Sequence, residues 1–160
     1  MPPQASSAAE PKYTRTVPVA EGPAAPWVDR MLALAAVGAA VWACVLLAGI
    51  RPDPRGYGTH EALGMLACGW PAAYGIPCPT CGVTTAACHV VHLAPLRAFA
   101  TQPFGASLAL AGLGLAGFAL YCLVRGRSFL EVLVRLPLVR LLLGAIALLF
   151  LSWGYVYLRL

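Results

Sequence analysis

Charge is what this chain has least of: 11% of its 160 residues are Asp, Glu, Lys or Arg, and 60% are hydrophobic. Ordinary soluble domains carry roughly a quarter charged residues, so the composition excludes a soluble globule and places the chain in a bilayer. Acidic groups are the scarcest. There are six, and Glu10 and Glu21 lie in the N-terminal region, far along the chain from Asp53, Glu61 and Glu131. No carboxylate pair is left for acid–base hydrolysis, and the sequence does not read as that of a hydrolytic enzyme. Lysine is nearly absent as well, with Lys12 alone beside ten arginines. The formal excess of +5 is scattered rather than clustered, which excludes a nucleic-acid-binding stripe and suits the loop charges of a membrane protein.

Intervals without charge define the spans, because a helix needs roughly 20 apolar residues to cross about 30 Å of hydrocarbon. The first, 31–50, lies between Arg30 and Arg51. The second, 104–124, follows Pro103, a good first-turn residue, and stops before Arg125 and Arg127. The third, 141–158, lies between Arg140 and Arg159, places Trp153, Tyr155 and Tyr157 as an interfacial belt, and extends back to 138 if Arg140 snorkels. The first apolar stretch starts too late and runs too long for a cleaved signal, so it reads as a retained anchor. Residues 1–26 hold Pro2, Pro3, Pro11, Pro18, Pro23 and Pro26 among Ala, Ser and Glu, and read as a disordered tail ahead of a single membrane domain, 27–160.

Three spans divide the basic residues into two sides. Lys12, Arg15, Arg30, Arg125, Arg127, Arg135 and Arg140 share one; Arg51, Arg55, Arg97 and Arg159 share the other. The imbalance predicts a cytoplasmic N-terminus and an extracytoplasmic segment between spans one and two. In span two, Gly105, Ala109, Gly112 and Ala116 recur at steps of four, three and four. They form one face of small residues, suited to close approach by a partner membrane helix or a second copy of the chain.

Residues 62–96 contain no Asp, Glu, Lys or Arg, yet Gly64, Gly69, Pro71, Gly75, Pro77, Pro79, Gly82 and Pro95 interrupt them too often for a straight lipid-facing helix. The expectation is an all-α integral membrane protein of three transmembrane helices, with a re-entrant or interfacial cap over about 56–102 and a short helix from about 82 to 91. The cap carries Cys78-Pro-Thr-Cys81-Gly82. Two residues between thiols bring both sulfurs to one side of a tight turn, within reach of a shared metal or of each other. Pro79 fixes its own φ and Gly82 accepts a positive one.

On the following helix, Cys81, Thr85, Cys88 and His92 fall on one face, with Cys78 just ahead of its first turn, where the helix dipole favours thiolate. Cys78, Cys81, Cys88 and His92 together would suit zinc or another soft metal such as copper. Cys68, ten residues before Cys78, is an alternative ligand or disulfide partner. Cys44 and Cys122 lie inside spans and read as small hydrophobes. Thr80, Thr84 and Thr85 read as caps of the first helical turn, and Gln102 as the start signal of span two.

The run GIPCPTCGVTTAACHVVHLAPLRAFATQPFG resembles small bacterial membrane proteins of the domain of unknown function 2752 family. Gly75, Pro77, Cys78, Pro79, Cys81, Gly82, Thr84, Gln102 and Pro103 match that family's pattern of a CPxCG turn, a hydrophobic-Thr pair and a QP dipeptide. Where most members carry Arg after the Thr and a later Gly-Asp, this chain has Thr85 and Leu93-Ala94, resembling a CPTCG-x-TT variant. The resemblance implies a multi-pass protein of the bacterial cytoplasmic membrane and supplies no reaction. Three functions remain open from the residues: a cap stabilised by metal or disulfide at Cys78 and Cys81, a membrane thiol–disulfide couple using the same pair, and soft-metal binding or transfer.

Overall fold

The computed structural model describes residues 26–159. In chain order its elements are α1 (Pro26–Ala48), a 3-10 turn (Thr59–Leu63), α2 (Gly69–Tyr74), α3 (Val83–Val91), α4 (Pro95–Thr101), α5 (Pro103–Arg125), α6 (Phe129–Arg135) and α7 (Leu138–Arg159). No strand occurs among the described residues, so the fold is all-α. Helices α1, α5 and α7 are long and apolar enough to cross a membrane. The tail expected over 1–26 lies, except for Pro26, outside the described residues.

Helix α1 starts five residues ahead of the expected span, because its first turn takes in Asp29 and Arg30. Asp29 is buried, and its carboxylate accepts hydrogen bonds from the Ser128 hydroxyl at 3.0 Å and from the backbone N–H groups of Phe129 at 3.1 Å and Leu130 at 2.7 Å. It therefore caps α6, with Ser128 accepting in turn from Glu131 N–H at 3.2 Å. Helix α6 is an element that charge spacing alone did not reveal. It tucks against α1 and α5, where Phe129 closes a cluster with Ala33, Ala119 and Cys122.

Helix α5 is the centre of the molecule and packs against α1, α3, α4, α6 and α7. Small residues make this feasible. Ala33 and Ala36 of α1 meet Ala119 and Cys122 of α5, while Ala86 and Val90 of α3 and Ala98 of α4 meet Ala106 and Ala109. Most large side chains face outwards, Val45 and Leu142 among them; hydrocarbon solvates such residues, so their exposure carries no penalty in a bilayer.

The small-residue face of α5 is divided. Gly105 is buried so closely against α3 that an added Cβ would lie 2.7 Å from Val83 Cα, whereas a Cβ at Gly112 would meet nothing within 4 Å.

The helix directions bring the C-terminal end of α1, the N-terminal end of α5 and the C-terminal end of α7 to the same end of the bundle. Residues 49–102 gather there. The N-terminal end of α5 is capped twice: Gln102 Oε1 accepts from Gly105 N–H, and Ser152 Oγ of α7 accepts from Phe104 N–H at 2.8 Å. Pro103, which has no N–H, occupies the first turn.

Candidate functional site

The cysteine turn is built by local backbone geometry. Cys81 N–H donates to Cys78 O at 3.0 Å and Val83 N–H to Thr80 O at 3.1 Å, with Pro79 at the first bend. Gly82 then adopts φ 88 and serves as the N-cap of α3, its carbonyl accepting from Ala86 N–H at 2.8 Å. A side chain at Gly82 would face both a left-handed backbone and Gly56 O, 2.9 Å from an added Cβ. The CPxCG glycine is thus required by the fold as well as by the turn.

Three sulfurs converge at this turn. Cys68, Cys78 and Cys81 offer Sγ atoms that all lie within 4.8 Å of one another. The Cys78 and Cys81 sulfurs are 2.8 Å apart, and Cys78 N–H donates to Cys81 Sγ at 3.1 Å. Cys68 arrives as the N-cap residue of α2, whose last turn ends on Gly75 at φ 68. The loop between α2 and the turn is held from α7, where Trp153 Nε1–H donates to Pro77 O at 2.9 Å.

The two thiols of the turn differ electrostatically. Burial alone would raise the Cys78 thiol, but hydrogen bonds from Cys81, Thr80 and Cys68 outweigh it and hold it below the ordinary cysteine value. Burial, reinforced by the neighbouring Cys78, pushes Cys81 up to about 12. The stabilisation of Cys78 comes from these side-chain hydrogen bonds together with one from the Thr80 backbone.

Cys88 and His92 stand apart from this group. Cys88 is fully buried, with its sulfur 3.6 Å from Leu47 O and from Ile50 O at the end of α1. Its thiol is placed to donate to either carbonyl at the end of the chain segment leaving α1. Burial raises its pKa as well, as suits a protonated packing residue. His92 Nδ1 lies 2.9 Å from Cys88 O and 3.6 Å from Cys88 Sγ. Thr85 does not cap α3; its hydroxyl meets that of Thr59 at 2.8 Å in a buried pair, and Thr59 Oγ1 also accepts from Asp53 N–H at 2.9 Å.

Residues 51–61 form a second wall. Asp53 carries Arg55 through a salt bridge at 2.8 Å, Glu61 adds a contact at 3.3 Å, and the guanidinium lies 5.3 Å from the centre of the Tyr57 ring. Hydrogen bonding from Arg55 holds the Asp53 carboxyl below the usual carboxylate range. Cys81 and Tyr57 line two cavities at once. One, of about 320 Å³, is completed by Arg55, Gly56, Thr101 and Arg159; the other, of about 430 Å³, by Pro71, Ile76, Pro77 and Tyr157. Ser152 and Trp153, polar groups inside an apolar interval, were the sequence signals for the ties between α7 and this end of the bundle.

No curated protein and no solved structure matches the chain. A family model described as "Protein of unknown function (DUF2752)" matches residues 68–116, which hold all three converging cysteines, α2 to α4 and the first half of α5. Over that stretch, under a third of its length, the chain is similar to the DUF2752 family.

Proposed function

We propose that Cys68, Cys78 and Cys81 form a soft-metal thiolate site that holds residues 49–102 as a cap over the converging helix ends. The observation that carries this reading is the arrival of Cys68 at the CPxCG turn, all three sulfurs lying within 4.8 Å. A turn that needed only a dithiol would have no use for the third sulfur. Sulfurs bound tetrahedrally to one ion at about 2.3 Å sit roughly 3.8 Å apart, so binding asks Cys78 and Cys81 to open by about 1 Å. An all-sulfur donor set selects zinc or copper over magnesium or calcium.

The cap is re-entrant or interfacial, with Met65, Leu66, Trp70, Leu93 and Leu96 exposed to lipid or headgroups. Arg30, Arg125, Arg127, Arg135 and Arg140 lie at the other end of the bundle, which favours a cytoplasmic N-terminus in a bacterial inner membrane and an extracytoplasmic cap. The open part of the α5 face, at Gly112, is where a partner helix or second copy would seat.

The test is metal content of full-length protein purified in detergent, across single cysteine variants. Cys68→Ser, Cys78→Ser and Cys81→Ser are expected to lose the metal, while Cys44→Ser, Cys88→Ser and Cys122→Ser keep it. Retention in all three of the first group would overturn the reading.

The 2.8 Å approach of Cys78 to Cys81, with one thiol depressed and the other raised, favours a second reading as a dithiol–disulfide couple. It predicts two thiols that appear only after reduction, in protein free of metal.

A further inference from the structure

We infer that the three-thiol site is three-coordinate and selective for monovalent copper over zinc, its open side facing the cavities that Cys81 lines. This rests on the soft-metal reading above and deepens it. The argument is a ligand census. Every cysteine and histidine of the chain is among the described residues: six cysteines and His60, His89 and His92. Of their side-chain ligand atoms, the sulfurs of Cys68, Cys78 and Cys81 come together as a group of three, while Cys88 Sγ and His92 Nδ1 make a separate pair 3.6 Å apart.

Two alternatives on α3, Cys88 and His92, are already engaged. Cys88 is buried against Leu47 O and Ile50 O, and His92 is bonded to Cys88 O. Among the described residues the nearby carboxylates, Asp53 and Glu61, are bound to Arg55. Structural zinc takes four protein ligands in closed tetrahedral coordination, and this site offers three. Copper(I), without that demand, is satisfied by soft thiolates alone.

Placement agrees with an ion that is exchanged rather than locked in. Cys81 forms part of the wall of both cavities, of about 320 and 430 Å³, so the site borders both of them at this residue. Tyr57 lines both cavities as well. Binding replaces thiol protons with the metal, and the open side of the three-coordinate ion is where an acceptor thiolate from a partner would enter as a fourth ligand.

The experiment loads reduced, full-length protein in detergent with copper(I) or with zinc(II), both under argon. Each sample is then challenged with a chelator for its own metal and the residual ion counted. One copper per chain retained, with zinc stripped, is the expected result. Zinc retained as well as copper, or zinc retained in place of it, would overturn the copper inference while leaving the three-thiol site standing. Loss of both metals would overturn the soft-metal reading itself. Cys68→Ser should weaken copper(I) binding at least about tenfold, since loss of even an outer-shell partner costs 10- to 100-fold. Cys68→Met, which keeps a soft sulfur, should recover part of that. Unchanged affinity in Cys68→Ser would reduce the site to a two-sulfur one and sink the three-coordinate claim.

Discussion

At the scale of single residues, the cysteine turn separates two thiols that the sequence presents as equivalent. Alkylation follows thiolate, and thiolate forms as pH rises through the pKa. Cys78, held below the ordinary value, should therefore react with iodoacetamide at a lower pH than Cys81, which stays protonated up to about 12. Mass mapping of metal-free, reduced protein between pH 6 and 9 reads this directly; equal labelling of the two would contradict the assigned environments. A second residue-scale prediction concerns Leu93, which adopts φ 57 at the end of α3 and is 90% exposed. A left-handed conformation costs an L-residue roughly 1–2 kcal/mol, so Leu93→Gly should stabilise the protein by about 1 kcal/mol and raise its unfolding midpoint in detergent. It is also the place where the related pattern carries glycine. The spacing of Cys78 and Cys81 was legible because a two-residue turn is local. Cys68 was weaker as a signal, since its approach depends on how α2 folds back, and nothing in its neighbours' side chains announces that.

Elements are held here by caps supplied from elsewhere in the chain. Asp29 of α1 serves three donors at the start of α6, and Ser152 of α7 serves Phe104 N–H at the start of α5. Cap losses typically amount to 0.5–2 kcal/mol, roughly 1 in most hosts. Asp29→Ala should accordingly speed hydrogen exchange at the Phe129 and Leu130 amides about tenfold, leaving α3 unaffected; unchanged exchange there would mean that water replaces the carboxylate at no cost. Close approach makes a parallel contrast within α5. Gly105→Ala drives a methyl into the Val83 backbone and should destabilise by more than about 1 kcal/mol, while Gly112→Ala, facing open space, should be neutral or slightly stabilising. Thermal unfolding of the two variants side by side decides it. The three long helices were readable from charge-free intervals because hydrocarbon imposes a length and a composition. Helix α6 was not, since its seven residues carry two charges and owe their helicity to the cap that Asp29 provides from a hundred residues away.

On the scale of the whole molecule, α1, α5 and α7 provide a frame, and residues 49–102 cluster at the end where the frame's own polar termini need partners. Cys88 meets the Leu47 carbonyl at the end of α1, Gln102 and Ser152 serve the amides of α5, and Trp153, Tyr155 and Arg159 reach from α7 to Pro77 and Ala100. This arrangement supports the charge-free, Gly- and Pro-rich stretch 62–96, which bonds its backbone within the segment, as from Gly75 N–H to Pro71 O, and to the end of α7, as from Trp153 to Pro77 O. It also explains why Cys88 and His92, on the helix face that sequence spacing selected, were drawn away from the turn. Helical periodicity gives a residue's direction along α3, whereas the neighbour in that direction is the end of α1, and only the fold supplies it. The central claim is that Cys68, Cys78 and Cys81 share one metal. X-ray absorption at the edge of the bound metal counts its ligands directly. Three sulfurs at about 2.3 Å are predicted; a shell containing imidazole nitrogen, or only two sulfurs, would contradict it.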